Sequence, residues 1–297
     1  MKPLPSHYIF NELTFYPHRN NKGVINYYFA EDDLKLMHFI YPNEYRIKNS
    51  LHKAYELLIG KSDNNHSYFG YAELLTIVGY LEKKYKLNLS KTYIRKIELG
   101  VNIKVLNDAM IYIDRLKSYQ HRKEATKMMS RTSKHYGKQV DLSQQRFKLY
   151  HKSSPLLPYK LATEDNLIRF EMVFKKIVTI NKYASTLERL INPKNFNDLV
   201  TLLQKKFDAL QFENTHNLSN LTSAELTLYH AGNSTRYWQQ YYKSKNKHTY
   251  ATKKQRYNKI IKQLELETSN QDELIIELKS KIKQALEKQK ASACYIP

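Results

Sequence analysis

Three stretches decide the fold: IRKIELGVNIK (94–104), QRFKLYHK (145–152) and NLIRFEMVFK (166–175). In the first, Ile97, Leu99, Val101 and Ile103 alternate with Glu98, Gly100 and Asn102. In the second, Phe147 and Leu149 alternate with Arg146, Lys148, Tyr150 and Lys152. In the third, Ile168, Phe170, Met172 and Phe174 alternate with Arg169, Glu171 and Val173. A period of two marks a strand buried on one face. If the three strands neighbour each other and share one core, Glu98, Tyr150, Glu171 and Arg169 all turn to the opposite, polar face.

On that face Lys148 and Lys152 flank Tyr150, each roughly 6.6 Å along the strand. A tyrosine between cations and facing carboxylates is a candidate nucleophile. Its phenol ordinarily titrates at about 10, so phenolate at neutral pH costs about 4 kcal/mol. Nearby lysine and a divalent cation favour the anion. Two carboxylates suit hard Mg²⁺ or Mn²⁺, which would also neutralise charge on a scissile phosphate. Asn102 shares the face of Glu98 but lies about 13 Å further along the strand, too far to ligate the same ion. His151 follows Tyr150 and is expected to face the core. Gly100, without a side chain, leaves space beside Glu98 for a backbone or DNA to approach.

Outward from these strands, residues 1–40 read as strands or loops, and 43–56 as a strand running into a helix. Turn formers fill Gly60 to Asn65. Helical spacing covers 71–87 and 106–118. Residues 119–139 are basic and polar and read as a DNA-facing loop or arm, with Arg122, Lys123, Lys127, Arg131, Lys134 and Lys138. Beyond Lys176 the pattern is helical: 178–191, 195–211, 223–231, 235–243 and 252–288. The last of these carries Ile275, Leu278, Ile282 and Ala285 as an apolar stripe, with lysines opposite, and reads as a helix packed on its own domain. The expectation is an α+β chain with an α/β domain over 1–190 and an all-helical domain over 191–297, joined at Asn192-Pro193.

Composition limits the partner. Among 297 residues, 49 Lys and Arg face 28 Asp and Glu, a net charge of +21. That excess repels itself unless a polyanion answers it, and nucleic acid is the first candidate. No apolar run reaches the roughly 20 residues of a membrane span. The start, MKPLPSHYIF, lacks the apolar core of a signal peptide. A lone cysteine, Cys294, permits no disulfide within the chain, so a reducing cytoplasm is expected. The 25 tyrosines reflect AT-rich coding, stacking on unpaired bases, or both.

The segments IRKIELGVNI (94–103), RFKLYHK (146–152) and LIRFEMVFKKI (167–177), in that order, resemble the gene II / gene X replication proteins of filamentous phages and related plasmid proteins. These are rolling-circle initiators, and the likeness spans roughly 40–200. It implies Tyr150 as nicking nucleophile with Lys152 as its partner, and Glu98 and Glu171 as ligands of Mg²⁺ or Mn²⁺. It implies a relaxase-like antiparallel sheet acting on origin DNA in a bacterial host, with a host helicase as a further partner. Lys148, Arg169 and the basic arm (Arg122, Lys127, Arg131, Lys134) are the expected DNA contacts. SAELTLYHAGNSTRYWQQYY (223–242) is similar to a helical segment of replication proteins from Bacteroidetes-type elements. One departure is clear: none of the eleven histidines stands two residues from another, so a His-apolar-His metal motif is absent. Tyr136 and Tyr183 remain rival nucleophiles. The competing function is a non-catalytic basic DNA-binding protein, a repressor or architectural factor, which the charge fits equally well.

Overall fold

A computed structural model describes residues 7–10, 13–19, 25–29, 33–41, 44–62, 64–120, 123–153, 166–213, 218, 220–244, 247–267 and 273–294. The chain mixes α and β structure, with antiparallel sheets, several helices and a helix at its C-terminal end. It forms two compact units. One holds the described residues up to Ile94, Tyr183–Phe196 and those from Gln289 on; the other holds Arg95–Lys182 and Asn197–Lys288. The units therefore interleave along the chain instead of dividing once at Asn192-Pro193.

The first unit begins with an antiparallel meander: β1 (Tyr8–Phe10), β2 (Leu13–Arg19), β3 (Ile25–Phe29), β4 (Met37–Tyr41) and β5 (Glu44–Lys48). Helix α1 (Leu51–Leu58) starts where Ser50 Oγ accepts the Lys53 N–H at 3.3 Å. Helix α2 (Tyr71–Tyr85) lays Ile77, Leu81 and Tyr85 against Ala54, Leu34 and Leu36 to make this unit's core. The loop between the helices folds around one carboxylate. Glu56, 1% exposed, accepts N–H bonds from Asn65 (2.5 Å) and Ser67 (3.2 Å) and the Ser67 hydroxyl (2.6 Å). His52 Nε2 lies 3.3 Å away, and its ring stacks on Phe69. Burial raises the Glu56 pKa, but the bonds from His52, Ser67 and Asn65 outweigh it and bring it down to about 2.

The second unit carries the three diagnostic strands. In chain order it contains β6 (Ile97–Lys104), α3 (Ala109–Ile113), β7 (Leu116–Tyr119), β8 (Lys123–Glu124), β9 (Thr126–Met129), β10 (His135–Asp141), β11 (Gln145–His151) and β12 (Leu167–Phe174). One antiparallel sheet runs β6-β12-β11-β10-β9. A 3₁₀ turn (Ile177–Thr179), α4 (Asn181–Ala184) and α5 (Leu187–Leu190) lead to α6 (Pro193–Asp208). Strand β13 (Leu210–Phe212) then joins β7 and β8 in a small sheet. Helices α7 (Ser223–Gly232), α8 (Thr235–Ser244), α9 (Lys247–Glu267) and α10 (Glu273–Cys294) complete the chain.

The apolar sides of β6, β11 and β12 are buried as the alternation requires: Val101, Ile103, Phe147, Leu149, Ile168, Phe170 and Met172. Phe170 meets Phe207 of α6 at 5.0 Å between ring centres, and Phe147 stacks on Tyr119 at 4.9 Å. Stripe residues Ile275, Leu278 and Ile282 of α10 are buried too. Next to them, Lys281 donates to the Lys104 carbonyl at 2.7 Å, and Tyr112 donates to Glu277.

Three expectations change. Residues 119–139 are not a loop: β8, β9 and β10 occupy most of the stretch, and the abundant lysines hid their alternation. The helix expected over 106–118 shrinks to α3, followed by strand β7. The C-terminal part is not all-helical, because β13 pairs with β7, and the single helix expected over 252–288 is two, α9 and α10.

Replacing Glu56 by Gln is expected to lower stability by about 1–3 kcal/mol at neutral pH, read by urea unfolding. Folding depresses this carboxyl, so its stabilisation is complete above the unfolded value near 4.5 and fades as pH falls toward about 2. The parent should therefore lose stability over that acidic window more steeply than Glu56→Gln; parallel curves would exclude the cluster.

Candidate active site

The register of the five-stranded sheet assembles the site. On β12, Glu171 stands opposite Lys148 of β11 on one side and Gly100 of β6 on the other. Arg169 stands opposite Tyr150 and Asn102, and Glu98 opposite Val173. By parity, Glu98, Asn102, Lys148, Tyr150, Arg169 and Glu171 share one face. On β10 the same face carries Gly137 opposite Tyr150 and Gln139 opposite Lys148.

Charge bonds tie these groups together. Lys148 Nζ lies 3.1 Å from Glu171 Oε2 and 3.7 Å from Glu98 Oε2, so both carboxylates converge on one ammonium. Arg169, 7% exposed, places Nε 3.4 Å from Glu171 Oε1 and donates from Nη1 to Asn102 Oδ1 at 3.0 Å. Lys96 Nζ reaches Glu98 Oε1 at 2.5 Å. Burial works to raise the Glu98 carboxyl, but the Lys96 hydrogen bond and the Lys148 charge hold it below the usual carboxylate range.

Two glycines make room. A Cβ on Gly100 would meet the Phe170 carbonyl at 2.6 Å and the Arg169 guanidinium carbon at 3.3 Å. The space expected beside Glu98 for a backbone or DNA is taken by the neighbouring backbone, together with Arg169. A Cβ on Gly137 would meet the Tyr150 Cβ at 2.5 Å. Tyr136 lies in a bulge of β10 between His135 and Gly137, and its ring meets that of Tyr150 edge-on at 6.4 Å.

The phenol of Tyr150 is not poised toward the anion. Burial pushes it well above its ordinary range, Glu171 adds to that, and Arg169 only partly opposes it. The expectation that flanking lysine favours phenolate fails for Lys148, because its ammonium is engaged by the two carboxylates. Lys152 lies one residue past β11, its N–H donating to the Leu167 carbonyl at 2.7 Å.

The other expected residues divide. Arg169 is no surface DNA contact: it sits on a central strand and bonds inward. Lys127, Arg131 and Lys134 are exposed on the β9–β10 hairpin, which closes through Ser130 N–H to the Lys134 carbonyl at 2.8 Å. Arg122 lies outside the described residues. Lys138, assigned to the arm, instead donates inward to the carbonyls of Asp114 and Leu116. Burial lowers its pKa, partly opposed by Asp114 and Glu213. His151 takes core parity opposite Ile168, with Nε2 3.1 Å from Ser153 Oγ. Tyr183 belongs to α4 and the first unit. Lys96 went unnoticed in the sequence, although it stands two residues before Glu98 and so on the same face.

Glu98 and Glu171, the two carboxylates expected to hold a divalent cation, converge on the Lys148 ammonium. Asn102 is engaged by Arg169, and no group of three His, Cys, Asp or Glu side chains able to hold a metal occurs among the described residues. No family model, curated protein or solved structure matches this chain.

Lys148→Met and Glu171→Gln should each cost about 1–3 kcal/mol, since each leaves a charge without its partner. The double variant should cost less than the sum by about 1 kcal/mol or more in a urea double-mutant cycle. Strict additivity would mean that the two groups do not interact.

Proposed function

We propose that this chain is a rolling-circle replication initiator that nicks and rejoins one strand of a phage or plasmid origin. The reading is of a relaxase-like enzyme in the cytoplasm of a bacterial host, with Tyr150 as nucleophile and origin DNA, single-stranded or supercoiled, as substrate. A host helicase would unwind the nicked duplex. The observation that carries it is the shared sheet face on which one tyrosine lies beside two converging carboxylates and their cations. The net charge of +21 supports a polyanionic substrate. Among the described residues no helix is long and apolar enough to cross a membrane.

In the proposed reaction the Tyr150 oxygen attacks the scissile phosphorus while the 3′ oxygen leaves. The 5′ phosphate becomes esterified to the phenol, and the phenol's proton ends on the released 3′ hydroxyl. Attack by that hydroxyl reverses the step, so the bond energy is kept for rejoining. Glu98 and Glu171 would hold Mg²⁺ or Mn²⁺, which when bound supplies charge neutralisation at the scissile phosphate and offsets the carboxylate charges that raise the phenol. Arg169 fixes Glu171 and Asn102 from within the sheet. Lys148 keeps the two acids together and stands two residues before the nucleophile on β11. Lys152 acts as the phenol's partner, and Lys127, Arg131 and Lys134 hold flanking DNA from the hairpin.

A second reading, a non-catalytic DNA-binding protein, draws on the raised Tyr150 phenol and on the ion pairs that already satisfy Lys148. One assay separates the two. Labelled single-stranded DNA is incubated with the protein and Mn²⁺ and run on a denaturing gel. We expect a shifted covalent band that Tyr150→Phe loses at least a hundredfold and that Tyr136→Phe and Tyr183→Phe retain. Equal adduct from Tyr150→Phe would remove Tyr150 as nucleophile. Salt-sensitive binding with no adduct under any metal would favour the second reading.

A further inference from the structure

Residues 226–264 contain nine Lys and Arg and not one Asp or Glu, in a chain with 28 acids. This stretch runs from α7 through α9, far along the chain from the carboxylate face. The helices build a core of their own from Leu228, Tyr229, Trp238, Tyr250, Tyr257, Ile260 and Leu264. Gly232 allows the close approach: a Cβ there would meet the Tyr257 ring at 2.2 Å. Trp238 closes the core, its indole N–H donating to the Gly232 carbonyl at 2.6 Å.

The aromatic and aliphatic faces turn inward and leave most of the described cations outside; Lys254 instead lies 4.1 Å from the Trp238 ring centre. Arg236, Lys247, Arg256, Lys259 and Lys262 are all exposed. At 100° per residue, Lys259 and Lys262 lie on the side of α9 away from Tyr257 and Leu264, and Arg256 lies on its flank. Glu225 and Glu265 bound the stretch on either side; Glu225 caps α7 by accepting the Thr222 N–H at 3.1 Å and its hydroxyl at 2.7 Å, and its carboxyl also feels the charges of Arg256 and Lys259. Near the start of α9, against Tyr250 and Lys253, stands an aromatic rim. Tyr242 is 59% exposed, Tyr241 carries the Lys253 ammonium 5.2 Å from its ring centre, and Tyr237 lies 5.6 Å from Tyr241.

We propose that α8 and α9 form a second nucleic-acid surface, separate from the nicking face, that binds a single strand. Phosphates meet Arg256, Lys259 and Lys262, and a base stacks on Tyr242. Stacking platforms beside cationic grooves are the chemistry of single-strand binding. A membrane surface fits less well. Tyr242 is the one large apolar side chain exposed on these three helices among the described residues, and no exposed Leu, Ile, Phe or Trp stands ready to enter a bilayer. The proposal stands whether or not Tyr150 cleaves.

The test uses the full chain carrying Tyr150→Phe, in EDTA, so that cleavage plays no part. Binding of fluorescent dT20, of a 20-base-pair duplex and of phosphatidylglycerol vesicles is measured against salt. Neutralising Arg256, Lys259 and Lys262 to Gln should weaken dT20 binding at least tenfold and flatten the slope of log affinity against log salt by about 2. The milder pair Lys259→Gln with Lys262→Gln should give a smaller change in the same direction, and circular dichroism checks folding of both. Tyr242→Ala should lose about tenfold for dT20 and little for the duplex. Unchanged dT20 affinity and salt slope in the triple variant would overturn the surface. Equal losses for duplex and dT20 in Tyr242→Ala would overturn the single-strand assignment, and vesicle binding that alone depends on these lysines would assign the face to membranes. A missing covalent adduct in the gel assay, with dT20 binding intact, would count against the nickase alone.

Discussion

An antiparallel sheet that buries one face must send every second side chain to the other, and most of the second unit depends on that constraint. Phe147, Leu149, Ile168, Phe170 and Met172 are fully buried. Sliding β12 by a single residue would drive Arg169 and Glu171 into that packing, at a cost far above the few kcal/mol of net stability that a domain holds. The apolar side thus locks the register, and the register alone brings Glu171 opposite Lys148 and Arg169 opposite Tyr150.

Having gathered these charges, the sheet must balance them. Glu171 and Arg169 are 6% and 7% exposed, too deep for water to solvate freely. Each is answered inside the cluster: Glu171 by Lys148 and Arg169, Arg169 also by Asn102, and Glu98 by Lys96 and Lys148. Such networks rarely add net stability over an apolar equivalent, yet breaking one is costly. Their price in this fold is a phenol beside two carboxylates, raised by burial and by their charge. Any chemistry at Tyr150 therefore begins with a change in the charge around it.

The helical layer solves a different problem. Helices α7 to α9 bury aromatic rings inward and keep acids out of a long basic stretch, so the charge of the chain is unevenly spread. Glu171 of the sheet face is buried among cations and Glu98 is held by two lysines, whereas Arg256, Lys259 and Lys262 of α9 face solvent. Distribution, more than total charge, separates the ion-pair network of the sheet face from the solvent-facing cations of α9.

Local pattern was enough for β6, β11 and β12, for the shared polar face, for α2 and for the stripe of α10, because periods of 2 and 3.6 are written in consecutive residues. It failed over 119–139, where Lys127 and Lys138, paired with each other, take the parity of the buried Leu149 and so masked the alternation, and where β9 and β10 form only by pairing with each other and with β11. It failed also at β13, whose three residues become a strand because β7 offers them an edge. Among the candidate residues, the face of Tyr150 could be read from its neighbours, but its raised phenol could not. Nor could the inward turn of Arg169, the capture of Lys148 by two acids or the clearance at Gly137. Those follow from which strand lies beside which, and pairing between segments far apart in sequence is decided only when the sheet closes on its core.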